Sequence, residues 1–294
     1  MATKRAVFLL TLLFFTVAVQ CFAVERGVFP NVGAGARAQA MGGAFVAIAD
    51  DATAIYWNPA GLGKIQRMGL TYNNADLMKT GILYNQASIV RPTAWGGIGL
   101  SWSGLDASAA FGTFPYKESS YSVSAAGKVK PEWSRGFNLN WGANLKYNSF
   151  AGGSEAVNSS EQGLGFDFGL LLDLDELTVG LAVRDLYTKL SGTLMVDGEA
   201  HEASTKLPPD VAIGAAYKKG QALWSAEVAE LFTSPTLHLG VEYKVNPALS
   251  LRGGYAGGSF SCGLGLRTGY WVFDYSYSTH EVGDGQRLSV GLSF

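Results

Sequence analysis

The residues of this chain that could do chemistry are scattered. Gly33-Ala34-Gly35-Ala36-Arg37-Ala38 fits G-x-G-x-x-A, the pattern that seats a dinucleotide's pyrophosphate on a helix N-terminus. That chemistry also needs a hydrophobic strand before the glycines and an acidic residue about 20 positions on. No such strand precedes them, and Asp50 and Asp51 come too early. The match therefore reads as fortuitous, and no cofactor is implied. His201, His238 and His280 lie far apart, without a second His or a Cys at ligand spacing, so no metal site is implied. Glu199 and Glu202 sit close to His201, but nothing nearby completes a catalytic set, and they suit a solvated loop equally well. Asn158-Ser159-Ser160 fits the glycosylation pattern and reads as a polar loop. No catalytic residue emerges, and the chain is expected not to be an enzyme.

The first residues address the chain. Lys4 and Arg5, the apolar run Ala6 to Val19 and the small-residue site at Cys21-Phe22-Ala23 form a secretory signal peptide over residues 1–23. The run is shorter than the roughly 20 residues a spanning helix needs. Gln20 is bulky where a lipid-attachment site at Cys21 would carry a small residue. Cleavage leaves Cys262 as the one thiol, so no internal disulfide can form. A formal net charge of −2 without a basic block argues against a nucleic-acid partner. With 38 glycines, 12% aromatic and only 16% charged residues, and no second spanning-length apolar run, the composition suits a β-barrel better than a helical membrane protein. A closed antiparallel barrel pairs every backbone group in hydrocarbon without continuous apolar sequence.

Period-2 alternation recurs from Gly69 to the last residue. Phe137, Leu139, Trp141, Ala143, Leu145 and Tyr147 alternate with Asn138, Asn140, Gly142, Asn144, Lys146 and Asn148, which reads as a lipid face and a lumen face. The pattern predicts a transmembrane antiparallel barrel of about fourteen strands over residues 67–294, beginning near Gly69, Gly81, Gly96, Glu118, Gly136, Gly163, Leu177, Asp210, Ala222, Pro235, Leu249, Phe260, Trp271 and Arg287. The longer connections, 105–117, 150–162, 188–209 and 280–286, all follow odd-numbered strands. Tight turns such as Asp175-Glu176, Lys219-Gly220 and Val245-Asn246-Pro247 follow even ones. Outer-membrane barrels sort their loops this way, which puts both termini in the periplasm and Gly198 outside. A soluble β-sandwich also alternates, but has no reason to sort loop lengths. Among the lumen-facing positions, Asp167, Glu227, Glu242, Lys244, Arg252, Arg267 and Asp274 carry both signs and are expected to pair within a wet interior.

Residues 29–63 do not alternate. Asp51 can N-cap a short helix over Ala52–Trp57, ended by Asn58-Pro59 because proline disfavours helical geometry in the residue before it. Phe45, Ile55, Tyr56 and Trp57 need a dry surface, which a loose periplasmic tail would not give. The segment 24–66 is therefore expected to plug the lumen as a hatch.

The run Gly35 to Phe45, then Ala49-Asp50-Asp51-Ala52 and Trp57-Asn58-Pro59-Ala60-Gly61-Leu62, resembles the start of PorV/PorQ-type proteins of the wider long-chain fatty acid transporter (FadL-like) superfamily. The Asn58-Pro59-Ala60-Gly61 element is similar to that superfamily's N-terminal hatch, and Phe294 matches the terminal signal read by the barrel-assembly machinery. The resemblance implies an outer-membrane barrel in contact with lipid. Its hatch, with Phe45, Asp51, Tyr56, Trp57, Asn58, Pro59, Ala60 and Gly61, would gate passage of a fatty acid or other apolar small molecule. A second implied role is that of some PorV-like proteins, which act in type IX secretion as shuttles or anchors binding secreted proteins. A structural barrel without cargo is the third reading, and the sequence does not choose among them.

Overall fold

A strand that meets lipid on one side and a wet interior on the other alternates side chains, and its backbone polar groups must all be paired by its neighbours. In the computed structural model, which describes residues 32–77, 79–110, 115–129, 137–154, 156–280 and 283–294, this requirement is met by an antiparallel sheet. Its strands are β1 (Gly69–Leu77), β2 (Ile82–Thr93), β3 (Gly96–Asp106), β4 (Tyr116–Val129), β5 (Asn138–Gly153), β6 (Val157–Leu174), β7 (Leu177–Leu186), β8 (Lys189–Val196), β9 (Glu199–Lys206), β10 (Asp210–Lys219), β11 (Ala222–Ala229), β12 (Thr236–Lys244), β13 (Leu249–Ala256), β14 (Ser259–Thr268), β15 (Trp271–Ser278) and β16 (Gly285–Ser293). β1 pairs with β2 on one side and with β16 on the other, from Gly69↔Ser293 to Asp76↔Gln286, so the sheet has no edge there. β7 pairs directly with β10, and the closed ring therefore has fourteen strands.

The two faces separate as alternation requires. Leu145, Tyr147, Leu164, Phe166, Leu239 and Trp271 stand exposed on the outside, while Asn140, Asn144, Asn148, Asp167, Glu242 and Asp274 are buried within. Two of the expected long loops turn out otherwise. Residues 188–209 contain the hairpin β8–β9, which lies outside the ring and pairs with the far end of β6 (Val157↔Val196 to Gln162↔Ser191). The expected loop 150–162 is mostly strand, because β5 and β6 continue paired to Gly153↔Asn158. Beyond the membrane neither face of a strand meets hydrocarbon, so Asn158-Ser159-Ser160-Glu161-Gln162 carries no apolar contrast to reveal it. The expected signal peptide over residues 1–23, residues 24–31 and the expected strand start at Gly136 lie outside the described residues.

One irregularity serves the interior. Opposite Asp167, β7 takes one residue more than β6, between Phe168↔Val183 and Phe166↔Leu186. With Asp185 at φ 58°, this bulge lets consecutive residues Arg184 and Asp185 both bury, which regular alternation forbids.

Because closure leaves no frayed edge at which unfolding can start, the folded protein should migrate faster on SDS gels unheated than boiled. A single mobility at both temperatures would contradict the closed ring.

Candidate functional site

Residues 32–65 run through the barrel, and almost every one of them is buried. They contain the helices α1 (Ala36–Ala40) and α2 (Ala54–Trp57) and a 3-10 turn over Pro59–Lys64. The described path begins at the end of the long loops, where Val32 packs with Ala75, Tyr84 and Leu105. Arg287 donates to the Val32 carbonyl and, at 2.9 Å, to that of Gly33.

α1 then lies against β13–β16. It is too short to stabilise itself, and its groups are met by the wall. The Ala36 N–H donates to Ser289 Oγ at 2.7 Å, and the Gly42 N–H to Ser261 Oγ at 3.1 Å. His238 Nδ1 donates to the Gly42 carbonyl at 2.6 Å. Glu227 Oε2 accepts from the Phe45 and Val46 N–H groups, both at 2.8 Å, and so holds the bend that drives the Phe45 ring into the interior. There Phe45, Met41, Val46 and Trp57 pack on Ala182, Ala212 and Ala216; small wall residues make room for large lumenal ones. The Phe45 and Trp57 rings are 6.1 Å apart, and Arg184, paired with Asp210 at 2.6 Å, covers the faces of Tyr56 and Trp57.

The second half turns at Asp51, whose Oδ1 accepts from the Thr53 N–H at 2.9 Å. The α-helix proper is shorter than the sequence suggests and starts at Ala54. It stops at Asn58, extended at φ −162°, as the following proline demands. The Asn58 side chain is the junction of the whole segment. Its Nδ2 donates to Val46 O at 2.8 Å, Leu170 O at 3.1 Å and Leu181 O at 3.3 Å, while its Oδ1 caps the Ala60 N–H at 3.1 Å. Trp57 Nε1 donates to Ala34 O at 2.8 Å and Tyr56 Oη accepts from the Gly33 N–H at 3.0 Å, tying the two halves together. The 3-10 turn presses on β3–β6 without a spacer: a Cβ at Gly142 would lie 2.3 Å from the Pro59 carbonyl carbon. Lys64 pairs with Asp173 at 3.2 Å.

Charge clamps the first half to the wall at the tight-turn end. Arg37 reaches Asp50 (2.5 Å), Asp51 (3.1 Å) and the buried Glu242 (2.8 Å), and Arg252 joins Glu242 to Asp274 at 2.7 Å each.

On either side of the segment lies a cavity. One, of about 650 Å³, is at the tight-turn end, lined by Arg37, Asp51, Lys64, Lys244, Arg267 and Asp274 among others. The other, of about 500 Å³, is at the long-loop end, lined by Tyr56, Trp57, Arg184, His238, Phe260 and Arg287 among others. The two share no lining residue.

Phe45, Asp51, Tyr56, Trp57, Asn58, Pro59, Ala60 and Gly61 thus fall within one continuous segment inside the ring. Phe294 stands apart, exposed on the outer surface, its N–H donating to Met68 O at 2.9 Å and its ring 6.0 Å from that of Tyr270. Of the ionisable lumen residues expected to pair, Asp167, Glu242, Arg252 and Asp274 do so. Sequence reading missed the contacts that Arg37 and the Arg184–Asp210 pair make with the segment, and the wall network in which Lys146 bridges Asp167 and Asp185. For Arg184 and Asp185 the only signal was a pair of adjacent charges inside an alternating strand, which is what a bulge looks like in sequence.

Replacing Asn58 with Ala leaves the buried Val46 carbonyl without its donor and removes the side-chain bonds to the wall at Leu170 and Leu181, at a cost of about 1–3 kcal/mol to the seating of the segment. The fluorescence of Trp57 should shift to the red while unheated gel mobility stays that of a folded barrel. Unchanged emission would show that Asn58 does not hold the segment.

No protein-family model matches the sequence, and no curated protein is similar to it. Solved structures are. The toluene transporter TbuX of Ralstonia pickettii superposes with a TM-score of 0.61 at 15% identity, covering 90% of this chain and 98% of TbuX. The monoaromatic hydrocarbon channel CymD gives 0.62 at 14% identity, covering 89% and 97%. A FadL homologue of Pseudomonas aeruginosa gives 0.56 at 14% identity, covering 94% and 99%. The chain therefore has the fold of the FadL-like outer-membrane transporters and channels.

Proposed function

We propose that this chain is an outer-membrane channel for apolar small molecules and that residues 32–65 are its hatch. The observation that carries the reading is the segment itself, which lies across the ring between two cavities with separate linings. It is held to both sides of the ring by side-chain bonds and by close backbone packing: a Cβ at Gly254 would lie 2.1 Å from the Gly42 nitrogen, and one at Gly142 2.3 Å from the Pro59 carbonyl carbon. The structural neighbours, named for toluene and monoaromatic hydrocarbons, favour such cargo over docking of secreted proteins, and the long-chain fatty acid implied by the sequence resemblance belongs to the same apolar class.

The test is initial-rate uptake of labelled toluene and of a long-chain fatty acid by cells whose own transporters of this type are deleted. Expression of the chain should raise the uptake of at least one of them. Rates equal to those of the empty host for both would move the assignment to the secretion-subunit reading.

The sorting of loops orients the barrel, with the long-loop end and β8–β9 outside and the tight turns in the periplasm. A protease site inserted at Gly198 should be cut on intact cells and one at Gly220 should not; the reverse would invert the orientation.

A further inference from the structure

We propose that the base of the β8–β9 hairpin is a binding site for a phosphate group of the glycolipid in the outer leaflet. Lys189 and Lys206 are directly opposite one another at the first pair of the hairpin. Side chains of such a pair share a face, and like charges there destabilise the pairing. Both lysines are exposed, and among the described residues neither has a carboxylate within ion-pair distance, whereas Lys64, Lys117 and Lys146 each have one. Two ammonium groups held together without an acid between them leave room for an anion.

The position identifies the anion. Leu190 is buried, so by alternation Lys189 points to the outer surface, as do Ser191 and its partner Ser204, the next pair on that face. Ser191 is in register with Gln162 of β6, also exposed. Gln162 marks the level at which the lipid-facing wall ends: Leu164, Phe166 and Phe168 are exposed apolar residues below it, and Ser160 and Asn158 are exposed polar residues above. Tyr147 donates its hydroxyl to Gln162 at the same height, and Tyr187, 80% exposed, sits just before the hairpin, as aromatic residues do at a membrane interface. The two ammonium and two hydroxyl groups therefore stand where hydrocarbon gives way to headgroups, and an ammonium–phosphate contact is the strong, charge-assisted kind. The acidic residues of the hairpin, Asp197, Glu199 and Glu202, are toward its tip, away from this level.

The assignment uses the orientation proposed above but not the transport reading. It is tested by native mass spectrometry of the delipidated full-length barrel titrated with diphosphorylated lipid A. The wild-type protein should retain it, and the Lys189→Gln/Lys206→Gln variant should do so about tenfold more weakly, as expected for loss of two charge-assisted contacts. Lys218→Gln/Lys219→Gln, at the opposite end, should match wild type. Dephosphorylated lipid A should bind both proteins as weakly as the diphosphorylated form binds the Lys189/Lys206 variant. Equal retention of both lipids by wild type would overturn the proposal, and so would displacement by inorganic phosphate or phosphatidylglycerol at equal concentration. Removing the like-charge pair should not weaken the barrel, and unheated gel mobility confirms that the variant is folded. Its uptake of apolar cargo should be unchanged, so failure of lipid binding and failure of transport are read separately.

Discussion

Removing residues 32–63 should leave a barrel that assembles and leaks. Every strand-to-strand pairing of the ring lies between Gly69 and Ser293, and none uses the deleted segment. The residues that lose partners, Glu227, Glu242, Ser261 and Ser289, would face water in an emptied lumen, where a carboxylate or hydroxyl is solvated instead of stranded. Small hydrophilic dyes that wild-type protein retains in proteoliposomes should escape within minutes from vesicles carrying the deletion, while heat-modifiable gel mobility persists. Equal retention by both proteins would show that the segment does not occlude the lumen. Loss of the folded band would show that it is part of the scaffold.

Gly142→Val should have the next largest effect, by forcing the segment off the wall instead of removing it. Gly142 is a strand residue on the lumen face of β5, and its missing side chain is the space the 3-10 turn occupies: an added Cβ would be 2.3 Å from the Pro59 carbonyl carbon and 2.4 Å from the Ala60 nitrogen. Both are backbone atoms that no rotamer change can move. Valine suits a strand, so the ring should tolerate it. The strain, about 1–3 kcal/mol or more, falls on the seating of residues 59–60. The variant should leak dye at a rate between wild type and the deletion, and Gly142→Ala should leak less than Gly142→Val. Wild-type tightness in the valine variant would mean that the turn does not depend on this contact.

How far the sequence could be read depended on whether a residue's surroundings imposed a pattern. Where strands cross the membrane the pattern is strong: Leu139 to Tyr147 against Asn138 to Asn148 fixed both the strand and its faces, and the ring has the fourteen strands that alternation suggested. Where the same strands continue beyond the lipid, as in Val157–Gln162 and β8–β9, the environment is alike on both faces and the signal vanishes. The stop at Asn58-Pro59 was legible because proline acts locally. Its threefold attachment was not, because Val46, Leu170 and Leu181 approach Asn58 only after the chain has closed on itself. Arg37 was likewise visible only within a resemblance; its partner Glu242 is 205 residues away, and no local rule connects them.

If residues 32–65 are a hatch, apolar cargo passes only when they move from the wall, and a reversible lock on them should stop it. A Cβ at Gly69, the first residue of β1, would be 3.9 Å from the Ala52 Cβ, within the span of about 3.5–4.5 Å that a disulfide bridges. The protein carrying Ala52→Cys and Gly69→Cys, with Cys262→Ser to remove the exposed thiol, can be oxidised and reduced in the outer membrane of intact cells. Initial uptake of labelled toluene is the measurement. Uptake should exceed that of the empty host when the pair is reduced, fall to the host's rate on oxidation and recover on renewed reduction; equal uptake by the oxidised and reduced forms would show that cargo passes without movement of the segment.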